Sequence, residues 1–128
     1  MSEKRKLGDL IQTKESATGE ALSKAEVHVP TIEAPDSVKA NESFPIRVTV
    51  GPHPNLVEHS IRRIDVYYYE QGRAFNPILV STHDLTPVYS EPDVRVNLKL
   101  SKSGGLHVVE YCNIHGLWEA RKEIRVIV

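Results

Sequence analysis

Phe44-Pro-Ile-Arg-Val-Thr-Val50 alternates apolar and polar side chains with a period of two. In an extended chain that period sends Phe44, Ile46, Val48 and Val50 to one face and Arg47 and Thr49 to the other, the pattern of a half-buried β-strand. Outward from it, further runs have the length and composition of strands. Ile61-Arg-Arg-Ile-Asp-Val-Tyr-Tyr-Tyr69 is rich in β-branched and aromatic residues, and Ile78–Ser81, Val94–Leu100, Leu106–Tyr111 and Glu123–Val128 follow. Turn-forming residues separate them at Ala40-Asn41-Glu42, Glu70-Gln71-Gly72, Glu91-Pro92-Asp93 and Ser103-Gly104-Gly105. No long amphipathic helix is signalled. The pattern predicts an all-β fold, an immunoglobulin-like antiparallel β-sandwich of about seven strands. The cysteine pair of antibody domains is absent, so the likeness is architectural.

Residues 1–25 are polar and lack a hydrophobic period, apart from a short helical turn over Leu7–Gln12. They read as an N-terminal arm lying over the domain or a neighbouring subunit, with 26–128 as the β-sandwich domain that carries the site. The 128 residues suit one domain, large enough to bury a core without disulfides or a stapling metal. A metal would therefore be functional rather than structural. The formal net charge of −1 argues against a nucleic-acid partner. No apolar run approaches the ~20 residues that span a bilayer. Glu3, Lys4, Arg5 and Lys6 are not followed by the apolar stretch of a secretion signal. The single cysteine, Cys112, excludes an intramolecular disulfide. Together these features lead us to expect a cytoplasmic protein with no membrane partner.

Three clusters of potential ligands stand out. His28 lies in Ala25-Glu-Val-His-Val-Pro30, His53 and His59 in Gly51-Pro-His-Pro-Asn-Leu-Val-Glu-His59, and Cys112 and His115 in Cys-Asn-Ile-His followed by Gly116-Leu117-Trp118. A thiolate and an imidazole three residues apart at a strand end can reach one ion across a tight turn. Gly116 would let the backbone bend there without a Cβ penalty. Each cluster alone is a weak signal, more often a buried cysteine beside an unrelated histidine or a solvated loop histidine. Together they are four imidazoles and one thiolate at loop-like places, where a sandwich gathers its loops at the sheet ends. Such a set suits iron or copper rather than magnesium or calcium, and one sulfur disfavours a zinc knuckle. A blue-copper carrier would want an axial methionine after the last histidine, yet Met1 is the only methionine and no glutamine follows Cys112. A metal-free binding module would leave the five residues unexplained.

The runs Glu26-x-His28-Val29-Pro30, His53-Pro54-Asn55-x-x-Glu58-His59 and Cys112-Asn113-Ile114-His115-Gly116-Leu117-Trp118 resemble, in order and spacing, the three signature segments of the superoxide reductases. The four extra cysteines of a rubredoxin-like module are missing, so the resemblance is to the one-iron, neelaredoxin-type branch of the desulfoferrodoxin family. It implies reduction of superoxide to hydrogen peroxide at one non-haem iron per chain. His28, His53, His59 and His115 would form a plane around the iron, and Cys112 would be the axial, electron-donating ligand. Glu26 would occupy the sixth position of the ferric form. It further implies an external electron donor such as rubredoxin and a homotetramer.

His83 and His107 match no ligand position. The family's lysine before the first histidine is replaced by Val27, which leaves Lys24 as the candidate catalytic cation for steering and protonation. Arg63 stands where the family tends to carry an aromatic residue. Leu117 or Trp118 could cover the Cys112 sulfur, or Trp118 could simply fill the core.

Overall fold

A computed structural model describes residues 6–128. Two short helices, α1 (Leu7–Leu10) and α2 (Gly19–His28), precede eight strands. These are β1 (Thr31–Glu33), β2 (Ser37–Lys39), β3 (Phe44–Thr49), β4 (Ile61–Glu70), β5 (Ile78–Asp84), β6 (Asp93–Leu98), β7 (Gly104–Cys112) and β8 (Gly116–Ile127). One sheet has the order β1-β3-β6 and the other β2-β8-β7-β4-β5. The period-two reading of β3 holds, with Phe44, Ile46 and Val48 buried. In β4 the buried set is Ile64, Val66 and Tyr68, and in β7 it includes Leu106, Val108 and Cys112. These inward faces and those of β6 and β8 form one core, to which complete burial of a residue such as Ile64 contributes about 2 kcal/mol.

Three features depart from the sequence reading. First, α2 is a ten-residue helix that runs across residues 25 and 26, where the arm was expected to give way to the domain. Its only buried residues are Ala25 and His28, so no apolar stripe announces it. Second, β2 pairs with β8 in parallel, so the larger sheet is mixed rather than purely antiparallel. Third, Gly104 and Gly105 belong to β7, not to a turn. A Cβ on Gly104 would collide with the carbonyl oxygen of Tyr69, an approach only glycine permits.

The arm is tied down ahead of α2. Gln12 donates its N–H to the Leu117 carbonyl at 3.0 Å and accepts from the Glu119 N–H at 2.8 Å, adding one parallel bridge to β8. Among the described residues no helix is long and apolar enough to cross a membrane.

Candidate metal centre

β7 ends at Cys112 and β8 begins at Gly116, which pair with each other, so Asn113, Ile114 and His115 form a tight connection. Gly116 takes φ +81°, the left-handed conformation that closes this turn at low cost. The Cys112 sulfur is fully buried; it accepts the His115 N–H at 3.4 Å, and the His115 Nδ1 lies 3.8 Å away. Beside this hairpin, β4 opens with Ile61 opposite Cys112, so the loop before β4 delivers His53 and His59 to the same sheet end. The register then slips between Ile61 and Arg63. Such bulges re-aim side chains near sites. Here Arg62 donates to the Ser60 Oγ at 2.7 Å and to the Val57 carbonyl at 2.6 Å, bracing the loop. The last residue of α2, His28, closes the group from the remaining side.

One donor atom from each of His28, His53, His59, Cys112 and His115 falls within 4.8 Å of all the others. The sequence thus named all five residues that the fold brings together. His28 Nδ1 donates to the Lys24 carbonyl at 2.9 Å and His53 Nδ1 to the Pro54 carbonyl at 2.7 Å. Those bonds fix each tautomer and leave both Nε2 lone pairs turned inward. The two Nε2 atoms are only 3.1 Å apart, a repulsive contact between neutral rings that a shared cation relieves. His59 Nε2 is buried with no hydrogen-bond partner among the described residues. Burial, followed by smaller contributions that include the neighbouring imidazoles, holds His28, His53 and His115 below the ordinary histidine pKa. Neutral rings are the ligating form. Five nitrogen and sulfur donors exceed the four of structural zinc and lack the oxygen that calcium and magnesium prefer. The residues therefore fit one iron.

Glu26 is exposed on α2, and its carboxylate is outside the five-atom group. Two residues along a helix turn the side chain about 200° from His28, so the helix explains the separation. Lys24, one turn before His28, is half-buried. Its positive charge depresses His115, after burial and His59, while Glu20 opposes it, which puts both α2 side chains within electrostatic range of the centre. Trp118 stacks on His28 and packs with Ala17 and Ala25 rather than covering the sulfur. Leu117 lines a groove with Leu7, Tyr67 and Val109. His107 pairs with Glu119 at 2.7 Å and His83 with Ser81 at 2.8 Å, both outside the cluster. Arg63 pairs with Asp65 at 2.8 Å and Asp84 at 3.9 Å on the outward face of the sheet.

Sequence reasoning passed over two residues close in sequence to the ligands, one of which braces the site. Asn113 bonds to both residues flanking His59. Glu110, two residues before Cys112 on the inward face of β7, is fully buried, and neither carboxyl oxygen has a partner among the described residues. Burial pushes its pKa up to about 9, so it sits in the core as a neutral acid. The period of β7 counted back from Cys112 would have placed it inside.

The desulfoferrodoxin family model matches residues 20–121. The superoxide reductase (neelaredoxin) from Ignicoccus hospitalis is 57% identical and superposes with a TM-score of 0.91 over 96% of this chain and all of its own. The neelaredoxin of Megalodesulfovibrio gigas is 37% identical over 134 residues, 93% of this chain and 97% of its own. The superoxide reductase of Pyrococcus furiosus is 38% identical over 110 residues, 75% and 86% of the two chains. The five donors stand on the signature segments inside the matched span, and the chain belongs to the desulfoferrodoxin family.

Proposed function

We propose that the chain is a superoxide reductase, which converts superoxide, one electron and two protons into hydrogen peroxide. The observation that carries this reading is the convergence of four imidazoles and one thiol within 4.8 Å at one end of the sandwich. When bound, the iron supplies a one-electron couple and an open position for a small anion. His28, His53, His59, His115 and Cys112 would hold it. Neutral imidazoles leave the centre positively charged, which favours an anionic substrate. Lys24, half-buried one turn from His28, adds local positive charge to a chain whose net charge is −1, and it can supply a proton. Glu26 would cap the iron in its oxidised form; its carboxylate is exposed on the last turn of α2 and directed away from His28, so it would have to reorient to do so.

The finer features of this reading rest on the surface. Leu56, Val57 and Ile114 are exposed on the two ligand-bearing loops and offer an apolar landing for an electron donor such as rubredoxin. Tyr69, Leu79 and Tyr111 are exposed on the larger sheet and support assembly into a homotetramer. Of the arm expected over residues 1–25, residues 1–5 lie outside the described residues, and the rest acts as an arm on the 26–128 domain, an arrangement supported by the Gln12 bridge to β8. A free, buried Cys112 is consistent with a cytoplasmic setting.

Stopped-flow mixing of the reduced, iron-loaded protein with pulsed superoxide tests the activity. One hydrogen peroxide per electron is expected, and Cys112→Ser should abolish both turnover and the thiolate-to-iron absorption of the oxidised protein. Retention of both by the variant would overturn the ligand assignment.

A further inference from the structure

The four histidines are not held alike. His28 and His53 are each oriented by an Nδ1–H bond to a backbone carbonyl. His115 is placed by its own N–H bond to the Cys112 sulfur. His59 has no ring hydrogen bond among the described residues, and its Nε2 is buried and unpartnered. Its position must come from the backbone that carries it.

That backbone bridges to Leu56, the His59 N–H donating to the Leu56 carbonyl at 3.1 Å and its carbonyl accepting from the Leu56 N–H at 2.9 Å. It is also gripped from across the hairpin by one side chain. Asn113 accepts the Ser60 N–H on Oδ1 at 2.9 Å and donates Nδ2–H to the Glu58 carbonyl at 2.9 Å. Its own N–H reaches the Ser60 carbonyl at 3.4 Å. The two side-chain bonds straddle His59, one on each neighbouring residue. Because an amide has one donor end and one acceptor end, only this orientation satisfies both partners. Asn113 also directly follows Cys112, so the residue that fixes His59 is covalently joined to the residue that presents the sulfur.

On the reading of these five side chains as an iron site, we infer that Asn113 is a positioning residue that sets His59 relative to Cys112. It acts through the peptide bonds on either side of His59 and touches neither substrate nor metal. Its loss loosens the loop that carries the one imidazole with no ring hydrogen bond among the described residues, which changes the ligand field and weakens the grip on the metal.

The test compares Asn113→Ala and Asn113→Asp with a matched variant elsewhere. Asn76 makes the same kind of clamp at the opposite end of β4, accepting the Glu70 N–H at 3.0 Å and donating to the Glu70 carbonyl at 3.0 Å. Asn76→Ala thus removes a comparable clamp far from the ligands. The readouts on the iron-loaded oxidised proteins are the visible absorption, the electron paramagnetic resonance spectrum and the rate of iron loss to a chelator. Asn113→Ala should shift both spectra and release iron at least about tenfold faster. Asn113→Asp keeps the acceptor for Ser60 and loses the donor to Glu58, so its effect should be intermediate. Should the alanine variant not fold, the aspartate variant decides. Asn76→Ala should lower the melting temperature without moving either spectrum. If the Asn113 variants behave like Asn76→Ala while the unaltered protein holds iron, this inference falls and the iron site stands. An unaltered protein that holds no iron overturns both.

Discussion

The indole of Trp118 lies over the imidazole of His28, with ring centroids 5.2 Å apart and planes 27° from parallel. The same indole donates Nε1–H to the His115 carbonyl at 3.1 Å. One side chain at the start of β8 thus touches the ligand that ends α2 and the backbone of the ligand in the β7–β8 turn. Trp118→Ala should cost about 3–5 kcal/mol, the range for emptying a buried aromatic site. Trp118→Phe keeps most of the stacking and loses the hydrogen bond, for about 1 kcal/mol. Denaturant titration of the two variants checks the order; equal losses would show that the Nε1–H bond, not the ring, dominates.

Lys24 and Glu26 should separate by phase of the reaction. Lys24→Ala should slow the encounter with superoxide by about tenfold at low salt and flatten its dependence on ionic strength. Glu26→Ala should leave that fast phase largely intact and alter the absorption of the oxidised protein. Stopped-flow traces at several salt concentrations distinguish them. An unchanged Lys24→Ala rate would mean that the missing family lysine is not replaced from this turn of α2.

Gly104→Ala should destabilise the fold by about 1–3 kcal/mol, the cost of forcing an extra carbon into filled space. The obstacle is the Tyr69 carbonyl oxygen, with the Tyr68 ring 3.0 Å from the same position. Gly105→Ala meets only the Glu123 carboxylate and the His107 ring, at 3.6 Å and beyond, and should be much milder. Thermal melts of the two variants give the contrast; similar melting temperatures would contradict it.

Tyr68 supplies a pH signature. It is buried and donates its hydroxyl to the Lys102 carbonyl at 2.6 Å. Burial, with smaller contributions from Glu70 and Glu123, pushes its pKa up to about 12. The raised value means the fold favours the neutral phenol. The stabilisation is therefore complete below about pH 10 and is lost as pH rises towards 12. Absorbance titration at 295 nm should show a late tyrosine phase that vanishes in Tyr68→Phe. Its persistence in the variant would assign the phase elsewhere.

The strands were legible wherever one face alone meets the core, as in β3, where Pro45, Arg47 and Thr49 alternate with buried neighbours. They were not legible where that condition fails. The first half of β8 carries the arm bridge at Trp118 and has no clean alternation, and β1 and β2 are three residues each, too short for a period to register. Helix α2 escaped because its inward face is an alanine and a metal-type ligand, which no hydrophobicity pattern records. The five donors were legible because their chemistry is rare and their spacing resembles a family. The supports around them were not, because Asn113 and Arg62 act through backbone partners on another segment, Glu58 and Ser60 for the first and Val57 for the second. The outward direction of Glu26 follows from the same unseen helix.

Helix α2 docks through few residues, the buried Ala25 and His28 with Ala21 packed partly buried beside Ala17 and Trp118. With so little apolar area, part of the helix's hold on the sandwich would come from whatever His28 binds. Stripping the centre should therefore unlatch the segment from Thr13 to Val27 before the barrel of strands yields. Protease nicking in that segment then becomes a gauge of metal occupancy that requires no measurement of electron transfer.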